Sequence, residues 1–193
     1  EGIEAYLLCN LGQVLRDTGE LMRAEEMLQK GICLAHAQGD AHLEAIYLND
    51  LALVSLYRQE FSEALERAKA SLEKFLMLEL ELSTTSDLAI VATAQLALEQ
   101  QPEALVVVHK ALHILDNCAG EGPDFPQRDY WMCYQVLQTL GETTLAAHAL
   151  TAAHRLLMQQ AQRINDVEMR QAYLENVAFN RSILQAVNGS TGM

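Results

Sequence analysis

Apolar residues along this chain recur in steps of three and four, not two. In the first stretch Leu7/Leu8, Leu11 and Val14/Leu15 fall on one side of a helix; past Thr18-Gly19-Glu20, Ala24, Leu28, Gly31 and Leu34/Ala35 do the same. Such steps mark amphipathic helices and exclude the alternation of a strand. The spacing predicts helices over 3–17, 21–38, 41–58, 61–80, 84–100, 102–116, 128–140, 142–164 and 167–176, with a short last one over 179–187.

The pattern also repeats at long range. The windows "NLGQVLRDTGELMRAEEMLQKGI", "DLALVSLYRQEFSEALERAKASL" and "IVATAQLALEQQPEALVVVHKAL" begin at Asn10, Asp50 and Ile90, a spacing of 40 residues. Leu11, Leu51 and Val91 correspond, as do Gly12, Ala52 and Ala92, then Ala24, Ala64 and Ala104, then Gly31, Ser71 and Ala111. A fourth copy, shifted by two residues, starts at Cys133 and places Leu137, Ala146, Leu150 and Ala153 opposite Leu15, Ala24, Leu28 and Gly31. The two extra residues fit the irregular stretch "DNCAGEGPDFPQ" with its glycines and prolines. Small residues recur where helices approach closely, and a hairpin of two such helices covers its apolar face only by stacking on its neighbours.

Composition agrees: 50% of the 193 residues are hydrophobic, 6% are aromatic and 3 are proline, which suits packed helices and neither a sandwich nor a disordered chain. A formal charge of -13 repels phosphate backbones and argues against direct nucleic-acid binding. No apolar run approaches the roughly 20 residues that span a bilayer. Cys9, Cys33, Cys118 and Cys133 form no metal-like pair and read as reduced thiols packed as small hydrophobes, which fits a cytoplasmic setting. The opening Glu1-Gly2-Ile3 has neither an initiator Met nor a leader, so a fragment of a longer protein is expected.

The sequence Leu8, Leu11-Gly12, Leu15, then Ala24, Leu28, Gly31, resembles the tetratricopeptide (TPR) repeat. The likeness covers roughly residues 3 to 165, although Ser55 and Gln95 replace Leu15 in later copies and the closing proline is absent. A 40-residue period exceeds the family's usual ~34 and resembles a long-helix variant of bacterial multidomain signalling ATPases and transcriptional activators. The tail "MRQAYLENVAFNRSILQAV" is similar to the segment that closes such arrays. The resemblance implies an all-α, right-handed TPR-like α-solenoid of about four helix–turn–helix repeats with a C-terminal cap, forming one domain over 1–193. The repeats would span 3–39, 41–80, 84–117 and 128–165, the cap 166–187 and a disordered tail 188–193.

Catalytic signatures are lacking: the chain has no phosphate loop, H-E-x-x-H or G-x-S-x-G. We therefore expect no enzyme, no cofactor and no bound metal. His109 and His113, one turn apart with Asp116 beyond, could begin a metal site but read as a solvated pair near a helix end. Among His36, Asp40, His42 and Glu44, Asp40 reads as a helix N-cap. No partner is evident for His148 or His154, and the paired acids Glu25-Glu26 read as a solvated face.

The resemblance places function in a groove lined by the first helix of each repeat. That lining would include Tyr6, Gln13, Arg16, Asn49, Leu53, Tyr57, Thr93, Arg128, Trp131 and Gln135, with Cys9, Ile46, Leu56, Ser86, Ala89, Leu96 and Gln138 among them. A rotation of one helical step would instead put Leu53, Leu56 and Trp131 in the core. The expected role is a protein-interaction or sensor scaffold within a larger bacterial regulator, binding a protein or peptide partner or other domains of the same polypeptide. A peptide- or small-ligand sensor is the alternative, and self-association, as in a homodimer, is the third reading.

Overall fold

A computed structural model describes residues 2–119 and 122–190, and every regular element in them is helical. The order is α1 (Gly2–Asp17), α2 (Leu21–Gln38), α3 (Ala41–Tyr57), α4 (Phe61–Met77), a single 3-10 turn (Glu81–Thr84), α5 (Thr85–Ala97), α6 (Gln101–Asn117), α7 (Pro126–Thr139), α8 (Thr143–Gln162), α9 (Val167–Asn176) and α10 (Ala178–Ser190). Four hairpins, α1–α2 through α7–α8, stack in sequence: each second helix packs on the next first helix, and α10 closes the array against α7 and α8.

What ends α1 to α7 is the same device. Left-handed backbone stands at Gly19, Gly39, Gln59, Glu79, Glu99 and Ala119, every 20 residues, and then at Gly141 after the longer connection. At the first of these, Glu20 N–H reaches back to Leu15 O at 2.8 Å; Glu60 to Ser55 and Gln100 to Gln95 do so at 2.9 Å. These bonds satisfy carbonyls that a helix end leaves unpaired. The expected helices 61–80 and 84–100 stop earlier, at Met77 and Ala97, because Glu79 and Glu99 leave the helical region two residues later. Residues 188–190, read from the sequence as a disordered tail, belong to α10; residues 191–193 and Gly120-Glu121 lie outside the described residues.

The recurring small positions are the contact points. Ala24, Ala64, Ala104 and Ala146 are completely buried, as are Ser71, Ala111 and Ala153. A Cβ on Gly12 would lie 2.5 Å from Leu28, and one on Gly31 would run into the Tyr47 ring. Close packing at interior density leaves no room for either. The core forms two successive clusters, one from α1 to α3 and a larger one from α3 onward. Helix α3 feeds both, Leu51 and Val54 to the first and Ala52 and Leu53 to the second, so it carries core residues on more than one side.

The cap is fixed by polar ties. Tyr173 Oη donates to Gln160 Oε1 at 2.7 Å and accepts from Gln127 Nε2 at 3.1 Å, and Asn180 Nδ2 donates to the Tyr173 carbonyl at 2.9 Å. Tyr173 thus ties the closing helix pair to the last repeat, and Asn180 and Arg181 tie its two helices to each other.

Candidate functional site

Among the described residues fourteen polar side chains are buried, and all but Ser71 and Asn180 belong to first helices or to the turn before α5. Burying polar groups costs free energy unless each finds a partner, and here several of them partner one another across repeats. Asp50 of α3 accepts from Gln13 Nε2 at 2.8 Å and pairs with the Arg16 guanidinium, both from α1. Asn49 Nδ2 donates to Asp87 of α5 at 2.6 Å, and Ser86 Oγ donates back to Asn49 Oδ1 at 3.2 Å. Arg128 of α7 donates from Nη2 to Ser86 Oγ at 3.0 Å, while Thr85 Oγ1 donates to Asp129 at 2.8 Å. A polar seam therefore runs from α1 to α7 along the face made by the first helices.

Beside this seam lies a cavity of about 250 Å³. Gln13, Asn49, Asp50, Arg128 and Asp129 form its polar wall; His42, Ile46, Phe75 and Phe125 form the apolar one; Gly122–Asp124 close the rim. Arg128 is 5% exposed, with its guanidinium stacked 4.9 Å from the Phe125 ring centre. Its Nε and Asp129 Oδ1 are buried without a hydrogen-bond partner, although they face each other at 3.5 Å. Both atoms are sealed from solvent and held as an ion pair with each other.

Burial governs ionisation here. Desolvation pushes the Asp87 carboxyl up to about 8, against the pull of its bonds from Asn49 and Ser71. Desolvation also raises Asp129, outweighing Arg128 beside it. The geometry around Asp87 agrees with a protonated carboxyl. Ser71 Oγ lies 2.9 Å from Ala45 O and 3.0 Å from Asp87 Oδ2. A hydroxyl has a single proton, so Ser71 can serve both only if it donates to the carbonyl and accepts from Asp87. Burial, with Asp50 nearby, likewise pushes the Cys9 thiol up to about 12, so it is an unreactive packing group.

Of the residues assigned to the groove from sequence, the cavity brings together Gln13, Ile46, Asn49, Ser86 and Arg128. Arg16 is not free: it is 2% exposed and locked between Asp50 and Asp17. Leu53 is completely buried, because first helices of neighbouring repeats pack side by side and cover the position between them; its expected place in the groove is corrected to the core. Trp131 is half-buried at the core edge, stacked with Tyr134 at 5.1 Å. Tyr6 and Gln135 are exposed, and half-buried Thr93 bonds its own helix at Ala89 O. Tyr57 stands apart, in an apolar cleft of about 210 Å³ whose opposite wall is Val177–Phe179 of the cap. The superhelix thereby brings its first and last elements to two sides of one cleft, and Tyr57 and Trp131 share neither cavity.

Sequence reasoning missed Asp50, Asp87 and Asp129 as buried carboxylates. The available signal was an acid in an apolar phase: Asp87 and Asp129 stand in the register of Leu7 and Tyr47. It also left His148 without a partner, whereas Nε2 lies 2.9 Å from Asp116 of the preceding hairpin. Asp40 caps α3, accepting from Leu43 N–H at 2.9 Å, and His109 and His113 face solvent. Among the described residues no group of three or more His, Cys, Asp or Glu is placed to hold a metal. Cys33 is exposed, unlike buried Cys9 and Cys133, so the reading of all four thiols as packed hydrophobes is corrected for that one. No described helix is long and apolar enough to cross a membrane.

These features define a TPR-like helical-repeat architecture. The crystal structure of nearly identical TPR-like repeats from a putative kinesin light chain of Podosopora anserina superposes with a TM-score of 0.59, covering 94% of this chain and 95% of that one. Sequence identity is 15%, so the likeness is one of fold. No protein-family model matches the chain, and no curated protein does.

Proposed function

We propose that this protein is a binding module that holds a protein or peptide partner along its first-helix face, with one polar residue of the partner seated in the cavity beside Arg128. TPR-like repeats generally mediate protein–protein contacts, and a cavity on the first-helix face whose polar wall of Gln13, Asn49 and Asp50 stands beside an apolar one of Ile46, Phe75 and Phe125 is the observation that carries the reading. Size favours an anchor over a free small molecule: about 250 Å³ is below the ~300–1,000 Å³ of pockets that enclose whole ligands. Tyr6, Thr93, Trp131 and Gln135 would add contacts along the same face, with Trp131 the residue type most often dominant in binding. The tail's resemblance supports a place within a larger cytoplasmic bacterial regulator, where occupancy of the face would bias an output domain.

The test uses a random-peptide display library as probe. Peptides selected on the chain should bind His42→Ala and Phe125→Ala at least about tenfold more weakly, a loss of roughly 1.4 kcal/mol. Both side chains line the cavity without filling the core, and circular dichroism verifies the fold. Selected peptides that bind both variants at parental affinity would sink the proposal.

A further inference from the structure

Helix α1 carries an apolar stripe that nothing in the described residues covers. Ile3 is 78% exposed, Leu7 62%, Leu11 45% and Val14 58%. Their spacing of four, four and three residues puts them on one side of the helix. Scattered apolar residues on a surface need no explanation, but a continuous stripe does.

The repeat register explains it. Forty residues on, the same slots of α3 hold Leu43, Tyr47, Leu51 and Val54, which are 1%, 0%, 5% and 0% exposed. In α5 the slots of Leu7, Leu11 and Val14 hold Asp87, Val91 and Ala94, and in α7 they hold Asp129, Cys133 and Val136; all six are buried. These positions meet the second helix of the preceding hairpin: Gly31 of α2 lies against Tyr47, and Ser71 of α4 bonds Asp87. The stripe on α1 is therefore an inter-repeat interface with one side missing.

We infer that α1 docks the second helix of a further helix–turn–helix hairpin of this same repeat type, with a glycine, serine or alanine opposite Leu7. The occupant's chemistry follows from what covers the equivalent slots three times within this chain. It is an amphipathic helix whose small residue admits the bulky one opposite, in the register set by the 40-residue period.

A fusion tests this. A copy of residues 1–40 joined directly ahead of Glu1 places the copied Gly31 slot opposite Leu7. Hydrogen exchange of the α1 amides should slow at least tenfold, and one cooperative melt should appear at higher temperature than in the unfused chain. Leu7→Glu with Leu11→Glu in the original α1 should abolish both gains; these side chains are exposed in the unfused chain, whose helicity and melt should be unaltered by the same pair. Unchanged α1 exchange in the fusion, or a separate melt for the added hairpin, would overturn the inference. So would concentration-dependent dimerisation of the unfused chain that protects α1 and is lost in the double variant, since a second copy would then be the occupant.

Discussion

Asp87 shows how a single buried group can set the response of the whole fold to pH. Its carboxyl ionises near 4 when unfolded and is pushed up to about 8 by burial in the folded chain. Between those values only the folded state holds the proton, so stability falls as pH rises through that window and levels off above it. Asp129 is raised by the same desolvation and acts in the same direction. We expect the melting temperature to climb as pH is lowered from 8 toward 5, with a clearly flatter profile in Asp87→Asn, whose neutral amide replaces the protonated acid. Melts at several pH values decide it; an undiminished slope in the variant would assign the effect elsewhere. The seam had only a partial signature in sequence, because an Asp in an apolar phase looks like a solvated face until the fold supplies Asn49 and Ser71 to receive it.

At the scale of the helix, the punctuation is backbone conformation. Three of the left-handed positions with a 20-residue spacing or its extension are Gly19, Gly39 and Gly141, but Gln59, Glu79, Glu99 and Ala119 adopt the same conformation with a Cβ. A left-handed residue with a side chain costs roughly 1–2 kcal/mol, and glycine's extra freedom in the unfolded chain gives back about 0.5–1. Glu99→Gly should therefore stabilise by about 0.5–1 kcal/mol, and Gln59→Gly by a similar amount, read as a rise of ~1–4 °C for a chain this long. Thermal melts of the two single variants and the double check both sign and additivity. The Thr18-Gly19-Glu20 turn was legible because glycine announces it; the equivalents at Glu79 and Glu99 carry no glycine, and the predicted helices overran there. Polar substitution inside an element follows a related logic. Ser55, standing in a leucine slot, is buried and receives Arg67 Nη1 at 2.8 Å, a guanidinium also paired with Glu25.

Across the molecule, stability is expected to be graded along the array, since each repeat contacts only its neighbours. The cluster built on α1 to α3 is the smaller, and α1 leaves one side bare, whereas α5 to α8 are packed from both directions and tied to the cap through Tyr173. Local opening follows the density of buried contacts. Amides of α1 should exchange fastest among the hairpin helices and those of α5 and α7 slowest, a gradient that peptide-level hydrogen exchange resolves. Uniform protection from α1 to α8 would mean that the array opens as one unit.

The 3.6-residue periodicity and the 40-residue recurrence of small and bulky residues were enough to determine helical hairpins, their number and their stacking, because both signals are properties of local geometry written directly in residue spacing. Rotation about each helix axis was not determined that way. Leu53 reads as a groove residue until α5 is packed beside α3, and Arg16 reads as a free cation until Asp50, 34 residues away, meets it. Those facings depend on the angle at which one repeat lies on the next, and that angle comes from the summed packing of many side chains. Only the tertiary structure therefore decided which polar residues of the first helices are sealed into the seam and which line the cavity beside it.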